Sequence, residues 1–207
     1  MKKFFASLLL PGILLPSFCT YGAENSALIV DKLAGANGFT MTFEQTSKYK
    51  FLNKPKVSKG KLIFVPPKNF VWEIEGENAG KVISNGKKTW IYSPAEEAED
   101  TPTVVIKKGV YEGVQSIIFD PQYKDSSLVK EGDVRVLKVQ GNRSKGYMWA
   151  EVEFLDSPDF RIDRVVFEDI EGTKVIIKAN SFDRLSTRSE ASIFSFKAPK
   201  GARIITK

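Results

Sequence analysis

The sequence contains no histidine among its 207 residues and only one cysteine, Cys19. Ser-His-Asp and Cys-His nucleophilic systems need an imidazole as general base, and the common zinc sites need several His or Cys ligands. The glycines form no phosphate-binding pattern, because Gly60, Gly86, Gly109 and Gly113 are not spaced as in a nucleotide-binding loop. These absences favour a binding protein over an enzyme, and we expect neither a metal ion nor a cofactor.

Carboxylates are plentiful, but their positions indicate a role in solubility. Glu73, Glu75, Asp163 and Glu168 fall on predicted strands, where a pair of carboxylates could hydrolyse a glycosidic bond. The outward positions of amphipathic strands are commonly charged, so we interpret these side chains as solvent-facing. The acidic run at residues 96–100 is likewise interpreted as a solvated loop and not as a metal site.

A long apolar run is also lacking. The longest, residues 4–15, is shorter than the roughly 20 residues of a membrane-spanning helix and is interrupted by proline and glycine. Because Lys2 and Lys3 precede it and small residues follow it, this stretch predicts a secretory signal that is cleaved after Gly22. We therefore expect an exported protein.

Cys19 leaves two outcomes open. It could be the lipidated residue of a bacterial lipoprotein, although the bulky Phe18 before it is atypical of that signal. If it leaves with the signal instead, the mature chain has no disulfide and depends on its core for stability. The predicted organisation is a cleaved signal peptide at residues 1–22 and a single domain at residues 23–207.

The net charge is mildly basic and gives little indication of a partner. It is +6 for the whole sequence and falls to +4 when residues 1–22 are removed. The basic residues are spread along the chain and form no concentrated stripe, so we expect no nucleic-acid partner.

The stretch 59–74 contains two alternating apolar runs joined at a corner that begins with Pro66 and Pro67. Period-two alternation predicts two adjacent strands, and prolines lack the N–H that a sheet ladder requires, so they mark the turn. Similar runs predict a mainly β domain of about ten or eleven antiparallel strands. The predicted strands are residues 39–44, 61–65, 69–75, 81–84, 88–92, 103–107, 132–140, 147–155, 160–170, 173–182 and 191–199, with a polar connection at 51–59.

Two short helices are predicted by apolar residues at helical spacing. The first covers residues 26–36, with Gly35 near its end, and places Leu28, Ile29 and Leu33 on one face. The second covers part of residues 109–125 and contains Val110, Val114, Ile117 and Ile118.

The strands carry more aromatic and large aliphatic side chains than an ordinary surface would need. They either fill a closed core or line a cavity for an apolar guest, and acyl chains suit such a cavity because each buried CH₂ contributes about 0.8 kcal/mol. The candidate acyl-binding residues are Phe39, Met41, Phe43, Leu62, Phe64, Phe70, Trp72, Trp90, Met148 and Phe167.

The chain resembles the periplasmic outer-membrane lipoprotein carrier protein (LolA) family. The likeness covers nearly all of the predicted mature chain and is most specific from Gly60 to Pro94. The residues that carry it are Phe43-Glu44-Gln45, Gly60-Lys61-Leu62, Pro67, Phe70 and Trp72, Ser84-Asn85-Gly86-Lys87 with Trp90, Tyr92 and Pro94, and Phe194, Phe196, Pro199 and Gly201 near the end.

The resemblance implies a half-open antiparallel β-barrel with short α-helices that form a lid over an apolar cavity. It implies a monomeric periplasmic carrier that shields lipoprotein acyl chains and performs no covalent chemistry. Its implied partners are lipoproteins, an ATP-driven inner-membrane release complex and an outer-membrane acceptor. The candidate lid residues are Leu28, Ile29, Leu33, Val114, Ile117 and Ile118.

One position departs from the family. Its members usually place an arginine before the Pro67 corner, where it hydrogen-bonds to the lid, and here that position is Pro66. Proline donates no hydrogen bond, so either another group holds the lid or the protein gates differently. A lipid-anchored acceptor, another lipid-binding envelope protein and a structural envelope protein with a closed core are the alternatives.

Overall fold

The computed structural model describes Ile29 and residues 32–76, 79–95, 100–109, 126–143, 146–156, 159–187 and 189–207. In chain order, the strands are β1 Phe39–Lys48, β2 Lys56–Val65, β3 Asn69–Glu75, β4 Gly80–Asn85, β5 Lys88–Ser93, β6 Thr103–Lys108, β7 Ser126–Glu131, β8 Val134–Asn142, β9 Tyr147–Leu155, β10 Arg161–Asp169, β11 Lys174–Arg184 and β12 Arg203–Thr206. A 3₁₀ helix spans Ala191–Phe194.

All these strands belong to one twelve-stranded sheet in the order β12-β6-β5-β4-β3-β2-β1-β11-β10-β9-β8-β7. Neighbouring strands are antiparallel except β12, which pairs with β6 in parallel. The edge strands β7 and β12 lie at opposite ends of this order, so the sheet is open. The predicted mainly β fold, a half-open antiparallel barrel, is confirmed as an open sheet, which has twelve strands in the described residues and not the predicted ten or eleven.

Strand β1 lies inside the sheet and has the alternation expected of a strand with one buried face. Phe39, Met41 and Phe43 are each at most 1% exposed. They lie opposite Phe64, Leu62 and Gly60 of β2, which in turn lie opposite Phe70, Trp72 and Ile74 of β3. Since side chains directly opposite one another share a face, these rows form a continuous apolar surface across three strands.

The sheet curls around a single core. Leu137 and Val139 of β8 belong to the same buried cluster as Phe70 and Trp72 of β3, although β3 and β8 are six positions apart in the strand order. A flat sheet would keep strands at that spacing far apart, because neighbouring strands are separated by about 4.8 Å. The two halves of the sheet therefore face each other.

The N-terminal helical segment packs against one end of this core. Ile29 and residues 32–34 are helical, and Ile29 and Leu33 are 3% and 1% exposed. The segment ends where Gly35 adopts a positive φ of 54°, a backbone conformation that glycine adopts readily. This agrees with the predicted helix for the part that is described, while Leu28 lies outside it.

The chain after β11 covers the outer face of β3 and β4. The 3₁₀ helix contacts both strands, Phe194 is 3% exposed, and the Phe196 ring lies 5.2 Å from the Tyr92 ring. The predicted strand at 191–199 is therefore wrong. The open edge of β6 pairs instead with β12, a strand that was not predicted.

Strand lengths differ from prediction where pairing outweighs composition. The predicted connection at 51–59 is wrong for residues 56–59. These residues belong to β2, which begins at Lys56, and they pair with β1 as far as Ser47. Strand β7 was not predicted; it forms a hairpin with β8 around Gly132, whose φ is 63°. The predicted signal peptide and the second helix, with Val114, Ile117 and Ile118, lie outside the described residues.

Gly60 leaves the space that the core needs at the centre of the sheet. A Cβ at this position would lie 2.3 Å from the Phe43 ring and 2.6 Å from the Glu73 carbonyl oxygen. Replacing a strand glycine with alanine normally favours folding by reducing the backbone entropy of the unfolded chain. Because of this clash, we expect the replacement of Gly60 with alanine to destabilise the folded protein.

We predict that Gly60→Ala lowers the free energy of unfolding by about 1–3 kcal/mol, the usual range for overpacking a core. Urea unfolding followed by circular dichroism measures this change. Lys61→Ala, on the exposed face of the same strand, is the control and should alter stability by less than about 0.5 kcal/mol. A stabilised Gly60→Ala variant would contradict the packing account.

Candidate functional site

The inner face of the sheet is packed at its centre. Phe39 lies between two other rings, 5.6 Å from Phe64 and 4.7 Å from Phe182. Of the ten predicted acyl-binding residues, six are at most 2% exposed and so belong to the packed core: Phe39, Met41, Phe43, Leu62, Phe64 and Phe70.

An open pocket of about 310 Å³ lies at one end of this core, between the strand ends of β3–β5 and those of β1, β10 and β11. Trp72 and Phe167 are the predicted site residues that meet there. Among the described residues, its lining is Gln45, Trp72, Ile74, Ala79, Gly80, Lys81, Val82, Ile91, Tyr92, Ser93, Phe167 and Ile177.

Trp72 joins the pocket to the core. Its ring centroid lies 4.7 Å from that of Phe43, with the rings tilted by 41°. Phe43 reaches this position because Gly60, directly opposite it in β2, has no side chain. The Trp72 side chain is therefore supported from behind and forms a fixed wall of the pocket.

The remaining walls are mostly aliphatic, and their residues were not among the predicted site residues. Trp72, Val82 and Ile91 lie opposite one another across β3, β4 and β5, which places them on one face. Ile177 contributes from β11 on the other side. The sequence showed these residues as ordinary strand alternation, and only the strand register brings them together.

Gln45, Ser93 and Lys81 are the polar residues of the lining. Lys81 adjoins Val82 in β4, so its side chain points to the other face, where Nζ lies 2.6 Å from the Glu73 carboxylate. An apolar wall with few polar groups holds a ligand by removing it from water and needs no hydrogen bonds from it. Such a pocket fits an alkyl or acyl chain.

Two predicted site residues lie away from this pocket. Trp90 follows Thr89 and precedes Ile91 in β5, so it points to the face opposite Ile91, where it is half-buried. Met148 is 39% exposed, in a part of β9 where the register with β10 shifts. Neither residue belongs to the pocket lining.

A second cavity, of about 240 Å³, lies between the corner after β2 and the chain segment that contains the 3₁₀ helix. Val65 and Phe194 supply its apolar surface, whereas Asn69, Asn85 and Ser189 supply polar groups. Because it lies on the outer face, it is separated from the first pocket by the sheet.

The opposite end of the core is closed by hydrogen bonds between the N-terminal helical segment and the end of β11. Arg184 Nη2 donates to the carbonyl oxygens of Lys32 (2.6 Å) and Phe160 (3.2 Å). Leu185 N–H donates to the Gly38 carbonyl at 3.0 Å, and Asn37 Nδ2 donates to the Ser186 carbonyl at 2.9 Å. We call the Arg184 bonds to Lys32 and Phe160 the Arg184 clasp.

Phe160 is the aromatic centre of this closed end. Its ring stacks on Phe154 with centroids 5.1 Å apart. Lys32 Nζ and the Arg135 guanidinium carbon lie 5.7 and 6.0 Å from the Phe160 centroid, within the distance of cation–π attraction. The cations therefore help to hold the ring over the core.

Arg135 is itself positioned by an ion pair. Its Nε donates to Asp156 Oδ2 at 3.0 Å, and Lys130 Nζ lies 3.6 Å from the same oxygen. Burial alone would raise the pKa of Asp156, but the hydrogen bond and charge of Arg135, supported by Lys130, outweigh it, so the pKa lies below its usual value. The ionised carboxylate is thus favoured by folding.

We predict that Asp156→Asn lowers the free energy of unfolding by about 0.5–1 kcal/mol at neutral pH, the range of a partly exposed pair. A depressed folded-state pKa contributes stability above the unfolded pKa and loses it as pH falls through the folded pKa. The difference from wild type should therefore vanish in strong acid. Urea unfolding at pH 7 and in strong acid tests this, with the exposed Asp183→Asn as control; a pH-independent difference would contradict it.

Among the described residues, no group of three His, Cys, Asp or Glu side chains is arranged to hold a metal ion. The same residues contain no helix that is long and apolar enough to cross a membrane.

The chain is 26% identical to an outer-membrane lipoprotein carrier protein of Aeromonas salmonicida over 99% of this chain and 98% of that protein. A protein of the same name from Francisella tularensis is 23% identical over 88% of each chain, and one from Shewanella baltica is 31% identical over 47% of this chain and 46% of its own.

Among solved structures, a LolA superfamily protein from Nitrosomonas europaea is 12% identical to the chain, with a TM-score of 0.46 over 84% of this chain and 99% of the other. The family model for the outer membrane lipoprotein carrier protein LolA matches residues 34–197. Since that match covers most of the sequence, the chain belongs to the LolA outer membrane lipoprotein carrier family.

Proposed function

We propose that this protein carries lipoproteins across the periplasm by holding their acyl chains in the pocket between Trp72 and Phe167, without covalent chemistry. The observation that carries the proposal is an open pocket whose walls are mostly aliphatic and aromatic. Burial of CH₂ groups, at about 0.8 kcal/mol each, supplies the affinity, and no particular headgroup is required.

Membership of the family and the N-terminal sequence support a route for this transport. Lys2 and Lys3 followed by an apolar run are typical of an export signal, which delivers the mature chain to the periplasm. The chain acts as a monomer that receives cargo from an ATP-driven inner-membrane complex and delivers it to an outer-membrane acceptor.

The pocket has to enlarge to hold a whole acyl chain. Its volume of about 310 Å³ is at the lower end of the range of about 300–1,000 Å³ for ligand sites. Beyond Trp72 the core continues toward the N-terminal helical segment through Phe43, Met41 and Phe39. Displacement of that segment separates these side chains from Ile29 and Leu33, so the helical segment acts as the lid.

The Arg184 clasp holds this lid. A guanidinium that bonds the Lys32 carbonyl on the lid and the Phe160 carbonyl at the start of β10 ties the lid to the sheet. The exposed position of Arg184 lets water replace these bonds when the lid opens. Arg184 of β11 thus supplies the hydrogen bond to the lid that the family resemblance assigns to an arginine at the position of Pro66.

We predict that Ile91→Gln and Ile74→Gln each weaken the binding of a fluorescent acyl probe about tenfold, because each places a polar amide on the apolar wall. Fluorescence titration of the purified protein measures the affinity. Ile176→Gln is the matched control, since Ile176 neighbours Ile177 in β11 but faces the other side of the sheet.

Retained affinity in both pocket variants would contradict the pocket assignment. Absence of probe binding by the wild type would favour the alternative of an envelope protein with a closed core. Phe70→Glu is unsuitable for this test, because Phe70 is 2% exposed and a carboxylate there would unfold the core.

We predict that Arg184→Ala raises the hydrogen-exchange rates of amides in residues 32–38 roughly tenfold, since a charge-assisted bond to the lid is lost. The β1–β2 ladder should keep its protection. Mass-spectrometric exchange measures both regions, and Arg203→Ala, an exposed arginine in the edge strand β12, is the control. Unchanged protection of residues 32–38 would show that the lid is held by other contacts.

A further inference from the structure

The connection between β1 and β2 exposes apolar side chains to an unusual degree. Phe51 and Leu52 are 90% and 52% exposed. Val57 at the start of β2 is 56% exposed, and Ile170 in the turn between β10 and β11 is 55% exposed. We call these four residues the apolar tip.

The members of the apolar tip lie at one end of the sheet. Lys48, the last residue of β1, pairs with Lys174, which follows the β10–β11 turn. The two connections also lie side by side, because a Cβ built on Gly172 would be 3.8 Å from Lys50 Cδ. The β1–β2 and β10–β11 connections therefore form one neighbouring pair at this end of the sheet.

Lysines are interspersed with the tip residues of the β1–β2 connection. Residues 48–56 contain Lys48, Lys50, Lys54 and Lys56 and no acidic residue. Lys50 Nζ lies 5.9 Å from the Phe51 ring centroid, so cationic and apolar groups share one surface.

The nearest carboxylates do not cancel this charge. Asp169 Oδ1 accepts hydrogen bonds from the backbone N–H groups of Glu171 and Thr173, which orients it into its own turn. Glu171 is an exposed acid of that turn, and Lys174 follows it. The surface keeps a net positive charge.

We propose that the apolar tip docks the protein on an anionic phospholipid bilayer, with Phe51 and Leu52 inserted at the interface and the lysines over the lipid phosphates. Interfacial binding strengthens with buried apolar area and with electrostatic attraction to anionic lipid. Exposed apolar side chains beside several lysines match the apolar interior and the phosphate layer of such a bilayer.

Docking in this way also orients the pocket. Gln45 and Ile177, which line the pocket, are within a few residues of the ends of β1 and β11 at the tip. A bilayer at the tip would therefore lie beside the pocket mouth. The tip is a separate surface from the pocket, so the inference stands without cargo binding.

Flotation of the purified, naturally processed protein with cargo-free vesicles tests the proposal. The vesicles are phosphatidylcholine with or without phosphatidylglycerol. Wild type should float only with anionic vesicles, and added salt should weaken its binding. Phe51→Ser/Leu52→Ser should lower the partition coefficient at least tenfold, and Lys50→Gln/Lys54→Gln should lower it about thirtyfold at low salt.

Matched controls come from other parts of the surface. Ile193→Ser/Ile204→Ser removes two exposed isoleucines from the C-terminal region, and Lys87→Gln/Lys88→Gln removes two exposed lysines from the hairpin at the opposite end of the sheet. Both should bind vesicles as wild type does. Acyl-probe binding by the Phe51→Ser/Leu52→Ser variant should also remain unchanged, which distinguishes docking from cargo binding.

Three results would overturn the proposal. The first is failure of wild type to float with anionic vesicles, including the case in which it binds an acidic soluble protein instead. The second is flotation of Phe51→Ser/Leu52→Ser at the wild-type level. The third is an equal loss of flotation in the control variants.

Discussion

The contact between Phe43 and Trp72 across Gly60 is the interaction on which the concave shape of the site depends. Gly60 lies opposite both Phe43 and Ile74, and its missing side chain lets the Phe43 ring cross β2 and reach Trp72. A larger residue would keep those rings apart. This contact lies at the boundary between the packed core and the open pocket.

The fold was more predictable than the site. Strong alternation, as in Phe39, Met41 and Phe43, fixes a strand and its buried face without knowledge of its partners. Where the local pattern is weak, pairing decides: Lys56 to Lys59 look like a polar connection but extend β2 because β1 is available beside them. Residues 191–199 looked like a strand, yet β12 occupies the edge of β6.

The site could be predicted only in part, because aromatic content does not distinguish a packed side chain from a lining one. Phe39 and Phe70 fill space between the sheet halves, whereas Trp72 faces a void, and all three are large apolar residues in alternating strands. Val82 and Ile91 join the wall through register alone. The Arg184 clasp joins residues 152 positions apart in sequence, a distance at which no local pattern operates.

The central place of β1 also constrains how the chain folds. Its partner on one side, β2, follows directly, but its partner on the other side, β11, lies so far along the chain that Thr42 bonds Ser181 across 139 residues. Closing a loop of that length is costly in entropy, and such non-local pairing slows folding. The hairpins β2 to β6 and β7 to β11 can form first from local contacts, so we expect the joining of β1 to β11 to be a late step that completes the shared core.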